Sequence, residues 1–183
     1  MRSRGYPRYF ADFSEAESSA VMLRNYENRI VYGLLQARVY AEVILSNPRA
    51  VEERLRRQEI LTRSNAPTLF AVLDESILYR EVGGPEVMRA QLEWLQEVAG
   101  WPHVTLQIAL MIFHRGARAP FTIATQPDRS EVVYLENAAR GEASAEATDL
   151  SAVTETFARL QANSLSASAS VSRIGKVVSE RWT

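Results

Sequence analysis

Thr68-Leu69-Phe70-Ala71-Val72-Leu73 is a short, uninterrupted apolar run with the length and composition of a buried strand. Ala66-Pro67 ends the segment before it, and Asp74-Glu75-Ser76 and an apolar Ile77-Leu78 turn follow. Gly83-Gly84-Pro85 then opens a helix in which Met88, Leu92, Leu95 and Ala99 form one stripe at helical spacing, closed by Trp101-Pro102. Val104-Thr105-Leu106-Gln107-Ile108-Ala109-Leu110 alternates and is β-branched at several positions, as a second strand requires. This strand–helix–strand unit, read with its flanks, decides the fold class: α+β, a small mixed β-sheet packed with several helices in a single domain.

Downstream, Phe121-Thr122-Ile123-Ala124 and Glu131-Val132-Val133-Tyr134-Leu135-Glu136 read as two further strands, joined by a hairpin turn at Gln126–Ser130. A loop over 137–147 leads into a helix of about 149–164 with Val153, Phe157 and Leu160 inward, and Val171, Ile174 and Val178 mark a last short helix. Upstream, residues 1–10 are basic with Gly and Pro and read as a flexible lead-in, leaving 11–183 as the domain. Ser14 and Glu17 have capping-box spacing, so a first helix is expected from near Ser14 to about Tyr26. Residues 29–32 read as a short strand or extended turn, and 34–45 as a second helix. Asn47 as N-cap and Pro48 at the first helical position start a third helix, about 48–63, whose many charges form a solvated face.

The bulk numbers exclude several function classes. A chain of 183 residues with 46% hydrophobic and 23% charged residues can bury a real core. A formal net charge of −1 gives no reason to expect nucleic-acid binding by the chain. Cysteine is absent, which removes disulfides, thiolate metal sites and cysteine nucleophiles. With only His103 and His114, a histidine-rich metal centre is excluded; a carboxylate site for a hard cation is left open, and no metal or cofactor is expected. No apolar run approaches membrane-spanning length and no signal peptide is visible, so a cytoplasmic protein with no membrane partner is the expectation.

The most chemically loaded stretch is Arg29–Ala41. It spaces Tyr32, Gln36 and Tyr40 four residues apart, which on a helix stacks them on one face. Two phenols and an amide need partners when buried, so they either line a pocket or pack with their tips outward.

The chain resembles the uncharacterised C-terminal domain of actinobacterial XRE-type helix-turn-helix (Scr1-like) regulators. The residues that carry the resemblance are Tyr26-Glu27, Gly33-Leu34-Leu35-Gln36 with Tyr40-Ala41, Arg57-Gln58, Asp74-Glu75 with Leu78, Gly83-Gly84, Val87-Met88, Gln91-Leu92, Pro102, Val104-Thr105, Gln107, Phe121 and Val133-Tyr134-Leu135-Glu136. Departures are Tyr32 where the family usually has Pro, Ala37 where it has Thr, and the Ala109–Pro120 segment, often glycine-rich with a Pro after the strand in the family, which here reads Ala-Leu-Met-Ile-Phe-His-Arg-Gly-Ala-Arg-Ala-Pro. Only about ten residues precede the first expected helix, so no DNA-reading helix-turn-helix is expected in this chain. The resemblance implies ligand sensing and contact with a small partner protein.

The candidate catalytic residues are Glu75, Glu136 and His114, and the candidate ligand-binding residues are Tyr26, Tyr32, Gln36, Tyr40, Arg57 and Arg80. Glu75 and Glu136 each end a strand, where carboxylates often face a crevice, and together form a potential acid/base pair. The alternative for Glu75 is a structural ion pair with Arg57 or Arg80. His114, with Arg115 and Arg118 beside it, is a proton shuttle, an anion clamp or a loop residue without a role. Trp94 and Trp101 read as core or interface, and Gly83-Gly84 as a turn rather than a phosphate loop.

Three functions remain open. One is a stand-alone regulator-derived module that binds a small molecule or a partner protein without binding DNA. Another is a cofactor-independent cyclase, isomerase or hydrolase of specialised metabolism built on the same scaffold. The third is a protein-interaction subunit, homodimeric or paired with a small partner.

Overall fold

The strand–helix–strand unit forms as its sequence suggests, but the strand that gives the sheet its centre lies upstream of it. The computed structural model describes residues 8–136 and 141–183. Six strands, β1 (Met22–Glu27), β2 (Thr68–Asp74), β3 (Val104–Ala109), β4 (Phe121–Thr125), β5 (Glu131–Glu136) and β6 (Gly141–Ser144), form one sheet in the order β3-β2-β1-β4-β5-β6. β1 pairs in parallel with β2, as β2 does with β3, while β1–β4, β4–β5 and β5–β6 are antiparallel. The helices are α1 (Arg8–Ser19), α2 (Arg38–Leu45), α3 (Pro48–Gln58), α4 (Pro85–Val98), α5 (Ala147–Ala162) and α6 (Ala167–Arg181), with 3-10 turns at Gly33–Leu35, Glu59–Leu61 and Glu75–Leu78. The fold is α+β, as the sequence indicates.

Each strand of the central region alternates cleanly between two cores. On one face Leu23, Leu69, Leu73, Leu106 and Ile108 pack against Phe13 of α1, Tyr40 of α2, Met88, Leu92 and Leu95 of α4 and Ile174 of α6. On the other, Tyr26, Val72, Ile123 and Val133 pack against Phe157 and Leu160 of α5.

The expected first helix over 14–26 is corrected. It is under way by Arg8 and ends at Ser19, and residues 22–27 are a strand. Ser14 and Glu17 are therefore no capping box: Glu17 is fully buried and pairs with Arg57. The strand was hidden because its alternation carries polar side chains inward. Asn25 is buried and donates to the Thr122 hydroxyl at 3.0 Å and to the Phe121 carbonyl at 3.3 Å. The lead-in expected over 1–10 lies partly outside the described residues, and its last three residues already belong to α1.

The expected second helix over 34–45 is a 3-10 turn followed by the shorter α2, and 29–32 is neither strand nor ladder. Gln58 ties the 3-10 turn down by donating to the carbonyls of Gly33 and Gln36, each at 2.9 Å. Asn47 and Pro48 do start α3: Asn47 Oδ1 accepts from Arg49 N at 3.0 Å, and Pro48 takes the position where no amide is needed. Gly83 (φ +68°) and Gly84 (φ +97°) make the expected turn into α4. The loop expected over 137–147 contains β6 at 141–144, which pairs with β5; residues 137–140 lie outside the described residues.

Candidate functional site

β1, β2 and β3 run in parallel, so their C-terminal ends share one edge of the sheet, and β5 ends at that edge too. At β1 the strand order reverses, with β2 and β3 to one side and β4 to the other, and open sheets bind ligands outside the carboxyl ends of the strands near such a reversal. Alternation sends successive strand-end residues to opposite faces. Glu27 and Glu136 go to the face packed against α1, α2, α4 and α6, and Tyr26 and Asp74 go to the other. Among the described residues, a hollow opens on each face of this edge.

The first is a small inner cavity of about 80 Å³, lined chiefly by Glu27, Tyr32, Gln36, Arg54, Arg57 and Glu136. Its geometry is tightly bonded. Gln36 donates to the Val31 carbonyl and accepts from Arg54, both at 2.7 Å. Arg57 holds Glu17 through Nε and, at 3.1 Å, through its terminal nitrogen, and the Tyr32 hydroxyl donates to the same carboxylate. Burial, followed by the Glu17 carboxylate, pushes the Tyr32 phenol well above its usual range. Burial, followed by the nearby charge of Glu136, pushes Glu27 up to about 8, against the pull of Asn25, Arg54 and Arg57. Glu136 is raised as well, again by burial first, with Arg54 and Arg57 opposing. A carboxyl that titrates near neutrality beside a second one is acid–base equipment. The cavity, however, has room for only a few waters, at about 30 Å³ each.

The second hollow is an open crevice of about 890 Å³ on the α5 face. Its floor is Tyr26, Asn28 and Asp74, and its wall is the loop that carries residues 112–118. Tyr26 is buried, and its phenol is pushed up to about 12 by that burial and then by Asp74, with Asn28 opposing. Asn28 Oδ1 is buried and has no hydrogen-bond partner among the described residues. Asp74 Oδ1 accepts the Ser76 amide at 2.9 Å and the Ser76 hydroxyl. The loop braces itself: His114 donates Nε2–H to the Leu110 carbonyl at 2.8 Å, and the Ala117 amide donates to the His114 carbonyl at 3.2 Å. Gly116 (φ +91°) sits so close to α5 that a Cβ there would lie 2.6 Å from Thr156 Oγ1. This brace leaves Met111, Ile112 and Phe113 58%, 61% and 89% exposed, three consecutive large apolar side chains facing water.

The structure thus divides the residues singled out in the sequence. Tyr32, Gln36, Arg57 and Glu136 meet in the inner cavity, and Tyr26 and His114 meet in the crevice. Tyr32, Gln36 and Tyr40 do not stack on one helix, because the 3-10 turn intervenes; all three are buried, and Tyr40 accepts the Val31 amide at 3.4 Å. Glu75 is buried, accepts the Met111 amide at 3.3 Å and pairs with Arg173 of α6, not with Arg57 or Arg80. Glu75 and Glu136 form no acid/base pair, since β1 and β4 lie between their strands. Arg80 is exposed and lines neither hollow. Trp94 and Trp101 pack edge to face, with centroids 5.8 Å apart.

Sequence reasoning missed Glu27 and undervalued Asp74. Reading Leu23–Asn25–Glu27 as an alternating strand would have put Glu27 at a strand end alongside Glu136. The same period-2 logic separates Asp74, at the crevice, from Glu75, turned toward α6.

Among the described residues, no group of histidines and carboxylates is placed to hold a metal ion, and no helix is long and apolar enough to cross a membrane. Residues 10–176 match the family described as a domain of unknown function, DUF5753, and the chain belongs to that family. No curated protein sequence matches it.

Proposed function

We propose that this chain is a sensory binding module of the type attached to actinobacterial XRE-type regulators, and that it holds a small molecule in the crevice beside β1 and β2. The observation that carries this reading is the crevice itself. Its volume of about 890 Å³ lies in the range of ligand pockets, it sits outside the carboxyl ends of the parallel strands β1 and β2, and its floor places Asp74 beside Asn28 Oδ1, a buried acceptor with no partner among the described residues. The net charge of −1 and the family resemblance support a cytoplasmic protein that does not itself grip DNA. Native mass spectrometry tests the reading: protein exposed to a small-molecule extract of its source cells should retain a discrete mass. Ala117→Trp, which fills the crevice from its wall, should lose that mass. A mass retained equally by both forms counts against the crevice.

Glu27 favours a second reading, a cofactor-independent acid–base enzyme such as a cyclase or isomerase. A carboxyl that titrates near 8 next to Glu136 is suited to proton transfer at neutral pH. The size of the cavity argues the other way, because no substrate fits beside these carboxyls without rearrangement of the surrounding bonds. Conversion of the retained mass to a product, abolished by Glu27→Gln, would make this reading the better one.

A further inference from the structure

The crevice sorts its polar groups by sign. Its floor is rich in acceptors: Asp74, whose Oδ2 takes no hydrogen bond among the described residues, and Asn28 Oδ1, which is without a partner among them, with the Tyr26 phenol beside them. Its outer lip is cationic: Arg115 and Arg118 are exposed and form no ion pair among the described residues. Ile112 and Phe113 place an apolar surface on the same loop. We infer that the crevice takes a zwitterionic amino acid or short peptide with an apolar side chain, its ammonium on Asp74 and Asn28 and its carboxylate on Arg115 and Arg118. This inference rests on the crevice being the ligand site.

Charge and hydrogen-bond counting favour the zwitterion over simpler ligands. A plain anion would meet the arginines but bring its charge toward Asp74. A plain cation would satisfy Asp74 but face two uncompensated guanidinium groups. A neutral apolar molecule would cover Ile112 and Phe113 and leave Asn28 Oδ1 buried with nothing to accept. An ammonium brings three donors to a floor of acceptors, and a carboxylate is the planar acceptor that a guanidinium fork matches. The apolar side chain supplies the remaining contact.

Calorimetry with the dipeptide Leu-Phe in three forms, free, N-acetylated and C-amidated, tests this. The free form is expected to bind at least ten-fold more tightly than either blocked form. Asp74→Asn, which keeps an acceptor for Ser76, should remove the difference between free and acetylated peptide. Arg115→Ala with Arg118→Ala should remove the difference between free and amidated peptide. Equal binding of the three forms, or differences indifferent to these substitutions, overturns the inference. Anilinonaphthalene sulfonate separates the two levels. If no dipeptide binds but the dye does, and Ala117→Trp excludes it, the ligand class is wrong and the crevice stands. If neither binds, both fall.

Discussion

Glu27 and Glu136 end β1 and β5 on the same face of the sheet with β4 between them, and the charge of Glu136 adds to the burial that pushes Glu27 up to about 8. A folded-state carboxyl held above its ordinary value of 4.5 binds its proton more tightly in the native than in the unfolded chain. The associated stability is fully present below about 4.5 and is lost as pH rises through about 8. Glu136 is shifted in the same direction and adds to the slope. At about 1.4 kcal/mol per unit, the loss is on the order of several kcal/mol. Urea midpoints at intervals from pH 5 to 9 should therefore fall with pH in the parent, and fall much less in Glu27→Gln. Parallel profiles would contradict this assignment.

Arg57 and Tyr32 both hold the fully buried Glu17 carboxylate. Removing the guanidinium leaves a buried charge without its main partner, so Arg57→Ala should cost about 3–5 kcal/mol in chemical denaturation. Tyr32→Phe removes one neutral donor and should cost about 1–2 kcal/mol. Neither residue lines the crevice, so in any protein that still folds, dye binding there should be unchanged.

Glu75 links β2, α6 and the start of the crevice loop through Arg173 and the Met111 amide. Its partner is partly exposed, which places the pair between surface and buried ion pairs. Glu75→Gln should lower stability by about 1–2 kcal/mol and speed hydrogen exchange in the loop beyond Met111. Loss of all binding with the loop's exchange unaltered would show a direct role that the geometry does not provide.

Asn47 caps α3 with two amide contacts on an exposed surface. Asn47→Ala should cost about 1 kcal/mol in thermal or urea unfolding, and Asn47→Ser very little. A cost of the same size in both would mean that the side chain acts through something other than the cap.

How much of this was readable beforehand depends on which force dominates locally. The apolar strand Thr68–Leu73, the α4 stripe of Met88, Leu92 and Leu95, and the Asn47-Pro48 start were legible because short-range pattern and final burial agree there. β1 was not, because Arg24, Asn25 and Glu27 look like the tail of a solvated helix, and the partners of Arg24 and Asn25 lie far along the chain, at Glu131 of β5 and at Phe121 and Thr122 of β4. β6 was hidden for a similar reason: its short polar sequence pairs only because β5 is already in place. In the candidate site, Tyr32 and Gln36 stand out in the sequence as polar groups costly to bury, and Glu136 as a strand-end carboxylate, but their spacing says nothing of which side chains meet. The 3-10 turn at Gly33–Leu35 breaks the helical register, and the parting of Tyr26 from Glu27 follows from a strand period that the polar residues Arg24, Asn25 and Glu27 mask.

The measurement that tests the central claim most directly is amide chemical-shift mapping of the isotope-labelled protein titrated with free Leu-Phe. The account expects saturable shifts centred on Tyr26, Asn28, Asp74 and the loop from Ile112 to Arg118, with little change at Tyr32, Gln36 or Glu136. Shifts concentrated at the inner cavity, or scattered without saturation, would contradict the assignment of the crevice as the binding site.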